Sequence, residues 1–182
     1  MKRIAVLFSG EGSNFAYLAE HLHKKELEIV IAISNNPNAK GIEVAKKYDI
    51  PIEVIDSKSY SGREEFDAAI VNTLQKFTVE LTVLAGFMRI LTPVFTKQIR
   101  AVNLHPSLLP RHRGLDAIRK SYDDEFEMGG VTVHYVNQNL DSGETVLQKS
   151  IYKNKSTFEQ YENKIKSIEK EALAEAIVST LK

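Results

Sequence analysis

Apolar residues fall along this chain in short solid runs and in helical stripes, and the two alternate. Ile4 to Phe8 is an apolar, β-rich run that stops at Ser9-Gly10, as expected of a strand buried on both faces. Phe15, Leu18, Ala19 and Leu22 then share one face of a helix. Ile29 to Ile33 reads as a second buried strand, closed by Ser34-Asn35-Asn36-Pro37, and Ile42, Ala45 and Tyr48 suggest a short second helix. Pro51 to Ile55 is a third strand, Phe66, Ile70, Leu74 and Phe77 a third helical face, and Leu81 to Ala85 a fourth strand ending at Gly86. This alternation predicts an α/β fold, a mostly parallel twisted sheet with helices on both faces.

The second half has a different texture. Ile99 to Leu104 is strand-like and runs into His105-Pro106. Arg111 to Gly130 is polar and shows no clear period. Val131 to Val136 alternates as a strand does, Thr145 to Tyr152 is another strand, and Asp141-Ser142-Gly143 is a turn between them. Phe158, Tyr161, Ile165, Ile168 and Ala172 line a long last helix, with Ser156 and Glu159 at capping-box spacing. No repeat, low-complexity tract or linker divides the sequence, so residues 1–182 are expected to form a single domain.

Composition narrows the chemistry. The formal charge is zero, with 24 basic and 24 acidic residues, which argues against a nucleic-acid-binding surface. There is no cysteine, so disulfides and thiolates are excluded and a zinc site would need His and carboxylates alone. No histidine pair has metal-ligand spacing, and no metal is expected. His21 and His23 are expected at the surface. The apolar run near the N-terminus is too short for a signal segment, and none is long enough to span a bilayer, so a cytoplasmic protein is expected.

Two features carry candidate chemistry. Ser9-Gly10-Glu11-Gly12-Ser13-Asn14 joins a strand to a helix, where glycine permits close approach and helix N–H groups can receive an anion. A phosphate at Gly12, Ser13 and Asn14 is one reading; a plain turn capped by Ser13 or Asn14 is the other. A dinucleotide fingerprint is disfavoured, because Phe15 stands at its third glycine and the second strand ends in asparagines rather than an acid. Glu11 is expected to point to solvent, away from any anion. In Asn103-Leu104-His105, residues two apart on a strand project together. They form either a hydrogen-bonded structural pair or a set of donors for an oxyanion, as in transfer of a formyl group to an amine. Asp141 is the carboxylate that would assist a protonated His105. His134 either supports this site or is an ordinary half-buried histidine; support is expected.

Four segments together resemble the folate-dependent formyltransferases, and within them the branch acting on phosphoribosylglycinamide. They are Ser9 to Asn14, Leu84 to Leu91, Asn103 to Pro110 and Leu140 to Gly143. The resemblance spans nearly the whole chain and implies Asn103, His105 and Asp141 as catalytic residues and Gly12, Ser13 and Asn14 as the phosphate loop. It implies 10-formyltetrahydrofolate as co-substrate, contacted by Arg63, by Met88, Arg89, Ile90 and Leu91, by Asn103, and by Asn137, Gln138, Asn139, Leu140 and Asp141. Lys166, Ser167, Ile168 and Glu169 match a segment contacting the ribosyl substrate, and the stretch after Pro110 resembles the family's mobile loop. Glu11 and Ser142 depart from the common pattern without removing a catalytic group.

The trio alone does not choose the acceptor. A tRNA formyltransferase is disfavoured by the neutral charge, and its extra C-terminal domain, like the extra N-terminal domain of formyltetrahydrofolate hydrolases, is not expected in this sequence. A sugar-nucleotide formyltransferase lacks support from the phosphate loop, and a non-catalytic folate or nucleotide binder would not need all three catalytic residue types. The expectation is an enzyme of purine biosynthesis with small-molecule substrates, no nucleic-acid or membrane partner, acting as a monomer or homodimer.

Overall fold

The structure, a computed structural model, describes all residues from Met1 to Lys182. The chain divides into two compact units, Met1–Val102 with Leu181, and Asn103–Thr180 with Lys182. The strand order is β3-β2-β1-β4-β5-β6-β7.

The first unit contains β1 (Lys2–Phe8), α1 (Ser13–His21), β2 (Leu27–Ser34), α2 (Gly41–Lys47), β3 (Ile52–Val54), α3 (Arg63–Gln75), β4 (Leu81–Leu84) and α4 (Pro93–Thr96). β1 pairs in parallel with both β2 and β4, and β2 pairs in parallel with β3. The interior strands are apolar on both faces because both are covered: Ile4 to Phe8 and Leu81 to Leu84 are all buried. Phe15, Leu18 and Ala19 of α1 and Phe66, Ile70 and Leu74 of α3 add the helical stripes to this core.

β5 (Ala101–His105) crosses the boundary, so its first two residues belong to the first unit and Asn103 begins the second. The second unit continues with α5 (Ala117–Asp123), β6 (Met128–Tyr135), β7 (Thr145–Tyr152) and α6 (Phe158–Thr180). β6 and β7 pair antiparallel, and β7 alternates in exposure as an edge strand does. α6 buries Tyr161, Ile165, Ala172, Leu173, Ala176 and Ile177. No helix is long and apolar enough to cross a membrane.

Several local expectations need correction. α5 lies inside the stretch that showed no period, and β6 begins at Met128 rather than Val131. The cap of α6 sits one residue later than Ser156–Glu159. Thr157 Oγ1 accepts from Gln160 N–H at 3.2 Å, and Thr157 N–H donates to Gln160 Oε1 at 2.9 Å. His23 is buried rather than superficial, because its Nδ1 accepts the Ile29 N–H at 3.0 Å.

Candidate active site

In the first unit, the end of β1 is tied to its neighbours through Ser9. The Ser9 hydroxyl donates to Asn35 Oδ1 at 2.6 Å and accepts from Met88 N–H at 2.8 Å. The loop that follows reaches Gly12, whose φ is +73°, in the left-handed region that favours glycine. A Cβ there would lie 2.6 Å from the Gly41 Cα, so close backbone packing also demands glycine. Gly12 is the N-cap of α1, and no side chain caps the helix. Neither Ser13 nor Asn14 therefore takes the capping role that a plain turn would give it, and the first N–H groups stay available. Ser9, Gly10, Glu11, Gly12, Ser13, Asn14, Ala85, Gly86 and Met88 line an open cavity of about 260 Å³. Asn14 keeps a buried amide oxygen with no protein partner. Glu11 points to solvent as expected, and Lys40 Nζ lies 3.1 Å from it, offsetting its charge at the lip of the loop.

The second unit brings the polar trio together through a fourth residue. His105, His134 and Asp141 are 5%, 3% and 7% exposed. His134 Nδ1–H donates to the Tyr135 carbonyl at 2.9 Å, which turns Nε2 towards Asn103 and Asp141. Asn103 Nδ2 approaches that nitrogen at 3.3 Å. Asp141 lies against both rings, with Oδ1 3.7 Å from His134 Nε2 and Oδ2 3.4 Å from His105 Nδ1. Gly114 N–H donates to Asp141 Oδ2 at 2.9 Å.

Opposing effects act on the Asp141 carboxyl. Burial pushes its pKa up, but the His134 ring, the Gly114 N–H and the charges of His105 and His134 together outweigh that and hold it below its ordinary 3.8. Asp141 is thus an anion facing two imidazoles in a place with little water. Its φ of +48° is left-handed, a conformation that aspartate tolerates better than most residues. The neighbouring Gly143 is obligatory, because a Cβ there would run into the Tyr135 carbonyl and reach the His134 ring.

The other expected positions divide by unit. Arg63 is exposed at the start of α3. Met88 and Ile90 are 68% and 52% exposed, whereas Leu91 is buried and Arg89 lies over the Phe66 ring at 5.2 Å. Buried Asp67 fixes the end of this segment, accepting from Thr92 N–H at 2.6 Å and from the Thr92 hydroxyl at 2.7 Å. In the second unit, Asn137, Gln138, Asn139 and Leu140 form an exposed loop. Asn137 Oδ1 accepts Asn139 N–H at 2.9 Å, and the Ser142 hydroxyl lies 3.3 Å from the same oxygen. Ser142 therefore braces the loop. On α6, Lys166 and Ser167 are exposed, Ile168 and Glu169 half-buried, and Lys166 Nζ pairs with Glu162 at 3.0 Å. No group of three or more His, Asp or Glu side chains is arranged to hold a metal ion.

Two partners of the trio were hidden from sequence reasoning because both are backbone groups. One is the Gly114 N–H; the other is the His112 carbonyl, which accepts from His105 Nε2–H at 2.8 Å. The only sequence signal was Gly114 itself, whose φ is +80°.

The family model described as formyl transferase matches residues 2–177. Phosphoribosylglycinamide formyltransferase of Haemophilus influenzae is 41% identical over 155 residues, covering 83% of this chain and 73% of that protein. The trifunctional purine biosynthetic protein adenosine-3 of Chironomus tentans is 41% identical over 156 residues; the match covers 82% of this chain but only 11% of that much longer protein. Among solved structures, phosphoribosylglycinamide formyltransferase from Campylobacter jejuni superimposes with a TM-score of 0.97 at 46% identity, covering 100% of this chain and 98% of that one. By the extent of these matches, this chain belongs to the formyl transferase family.

Proposed function

We propose that the chain transfers the formyl group of 10-formyltetrahydrofolate to the amine of 5'-phosphoribosylglycinamide, a step of purine biosynthesis, with residues 1–182 acting as a single domain. The observation that carries the reading is Asp141 Oδ2 at 3.4 Å from His105 Nδ1, in a buried setting that Asn103 enters through His134. The acceptor amine adds its lone pair to the formyl carbon, and the carbonyl electron pair moves onto oxygen. The Asn103 amide donates to that oxyanion, and the positive charge of a protonated His105, with Nε2–H on the His112 carbonyl and Nδ1 turned to Asp141, stabilises it. The tetrahedral intermediate then collapses: the bond from carbon to folate N10 breaks, and the N-formyl product leaves. One proton departs from the former amine and one arrives at N10, so the exchange balances with the Asp141–His105 pair as carrier.

Gly12, Ser13 and Asn14 hold the acceptor's phosphate in this account. Support comes from the uncapped start of α1, whose N–H groups and dipole favour an anion. Met88 to Leu91 and Asn137 to Asp141 form the folate walls, with Arg63 at the folate's charged tail, and Lys166 to Glu169 contact the ribosyl substrate. His134 holds the Asn103 amide and the Asp141 carboxylate in register. The partners are small molecules, in the cytoplasm, without metal or nucleic acid, and the enzyme is a monomer or homodimer.

Formyl transfer from 10-formyltetrahydrofolate should be measured with phosphoribosylglycinamide, its dephosphorylated form, methionyl-tRNA, an amino-sugar nucleotide and water. The reading expects efficient transfer to the first alone, with a raised KM for the second. Rapid release of formate to water, or preference for another amine, would reject it.

A further inference from the structure

His105 uses its two ring nitrogens differently. Nε2–H donates to the His112 carbonyl at 2.8 Å, and a carbonyl can only accept. This fixes Nε2 as the protonated nitrogen and leaves Nδ1, the atom facing Asp141, as the one that can gain and lose a proton. The position of the His112 carbonyl is therefore part of the chemistry. It is held under strain, since His112 has φ +55°, a left-handed conformation that disfavours a residue with a Cβ.

What holds it is a half-buried carboxylate some way along the chain. The His112 side chain turns away from His105, and its Nε2–H donates to Asp124 Oδ2 at 2.7 Å. Asp124 is the C-cap residue of α5, and its side chain is 12% exposed. Lys153, just beyond β7, places Nζ 2.6 Å from Oδ1 and also donates to the carbonyls of Tyr122 and Asp124. Arg111 approaches Oδ2 at 3.5 Å, donates to the Met128 carbonyl at 3.0 Å and lies over the Phe126 ring at 4.3 Å. Phe126 N–H completes the set, at 3.0 Å from Oδ1. Burial would raise the Asp124 pKa, but the Lys153 and His112 bonds and the Phe126 N–H prevail and hold it below 3.8. Surface ion pairs contribute little, whereas a mostly buried carboxylate with this many donors resists displacement.

We propose that Asp124 is a positioning residue for the formyl transfer: by gripping His112, Arg111 and Lys153 it keeps the His112 carbonyl on His105 Nε2–H and so keeps His105 Nδ1 turned to Asp141. The inference rests on the reading of His105 as the group that handles the proton.

The test pairs Asp124→Asn with Lys153→Met, and uses Lys153→Arg as the conservative rescue. Three quantities are read: kcat and KM for phosphoribosylglycinamide, the ¹⁵N shifts of the His105 ring, which report its tautomer, and Tm. The expected result is a kcat lowered about tenfold or more, a loss of about 1.4 kcal/mol or more in transition-state stabilisation, with acceptor KM little changed. The ¹⁵N shift of His105 Nε2 should move away from that of a fully protonated nitrogen hydrogen-bonded to the His112 carbonyl, and Lys153→Arg should restore both readouts. If Asp124→Asn does not fold, His112→Asn serves instead, since asparagine tolerates positive φ and keeps the carbonyl while losing the grip on Asp124. A folded variant with unchanged tautomer, or an altered tautomer with unchanged kcat, would overturn the proposal. Failure of the underlying reading is separable: full turnover by His105→Ala would overturn the role of His105 and leave the ¹⁵N result standing.

Discussion

Replacing Asp141 with Asn removes one negative charge and almost nothing else, because the amide keeps the shape and can still offer an oxygen to Gly114 N–H. A unit charge on Asp141 Oδ2 and another on His105 Nδ1, 3.4 Å apart, attract by about 5 kcal/mol at an effective dielectric of about 20. Desolvation takes back part of this, and buried hydrogen bonds to charged groups contribute about 1.5–3 kcal/mol net. If the imidazole is charged in the transition state, that loss lowers kcat roughly 10- to 150-fold. The acceptor's KM should stay nearly constant, because its phosphate is bound elsewhere. The same substitution has a stability signature. The Asp141 carboxyl is held below 3.8 in the folded chain, so its contribution is present above that pH and is lost as pH falls through the folded value. Urea unfolding of both proteins should give a constant difference from neutral pH down towards 3.8, shrinking below it. Equal kcat together with an unchanged acid dependence would refute the argument.

Two glycines give further predictions. Gly12→Ala puts a side chain 2.6 Å from the Gly41 backbone at a φ of +73°. It should cost at least about 1–2 kcal/mol in urea unfolding and raise the KM for the phosphorylated acceptor; an unchanged KM would remove the loop from phosphate binding. Gly143→Ala drives a methyl group into the Tyr135 carbonyl and must displace the turn carrying Asp141. Turnover should fall more than about tenfold while near-ultraviolet circular dichroism still reports a packed core, and full activity would show that the Asp141 geometry is not critical.

The legible parts of the sequence were those in which burial and local pattern agree. β1, β2 and β4 announce themselves because the residues in their middle are covered and, Thr82 apart, apolar, and β7 because its edge position leaves one face wet. α5 was not legible, since its sequence offers only Ala117, Ile118 and Tyr122 as apolar helical residues and it is anchored through Asp124 at its end. The early start of β6 was masked by Gly129 and Gly130, poor strand formers in isolation. They are needed because a Cβ on Gly129 would meet the Tyr161 hydroxyl and one on Gly130 the Lys149 carbonyl. At the site, the side-chain trio could be found from residue types and spacing. Its anchoring could not, because the Gly114 N–H and the His112 carbonyl carry no residue-specific mark. Asp124 looked like one more charge in a solvated stretch, and only three-dimensional packing sets it among Arg111, His112 and Lys153.

The most direct measurement is turnover of His105→Ala alongside calorimetric binding of phosphoribosylglycinamide to the same protein. Loss of a positioned acid–base group predicts a kcat lower by about 10²–10⁴-fold with the acceptor still bound at close to its normal Kd. A variant that turns over at nearly the normal rate would contradict the account, because the imidazole beside Asp141 would then have no part in the reaction.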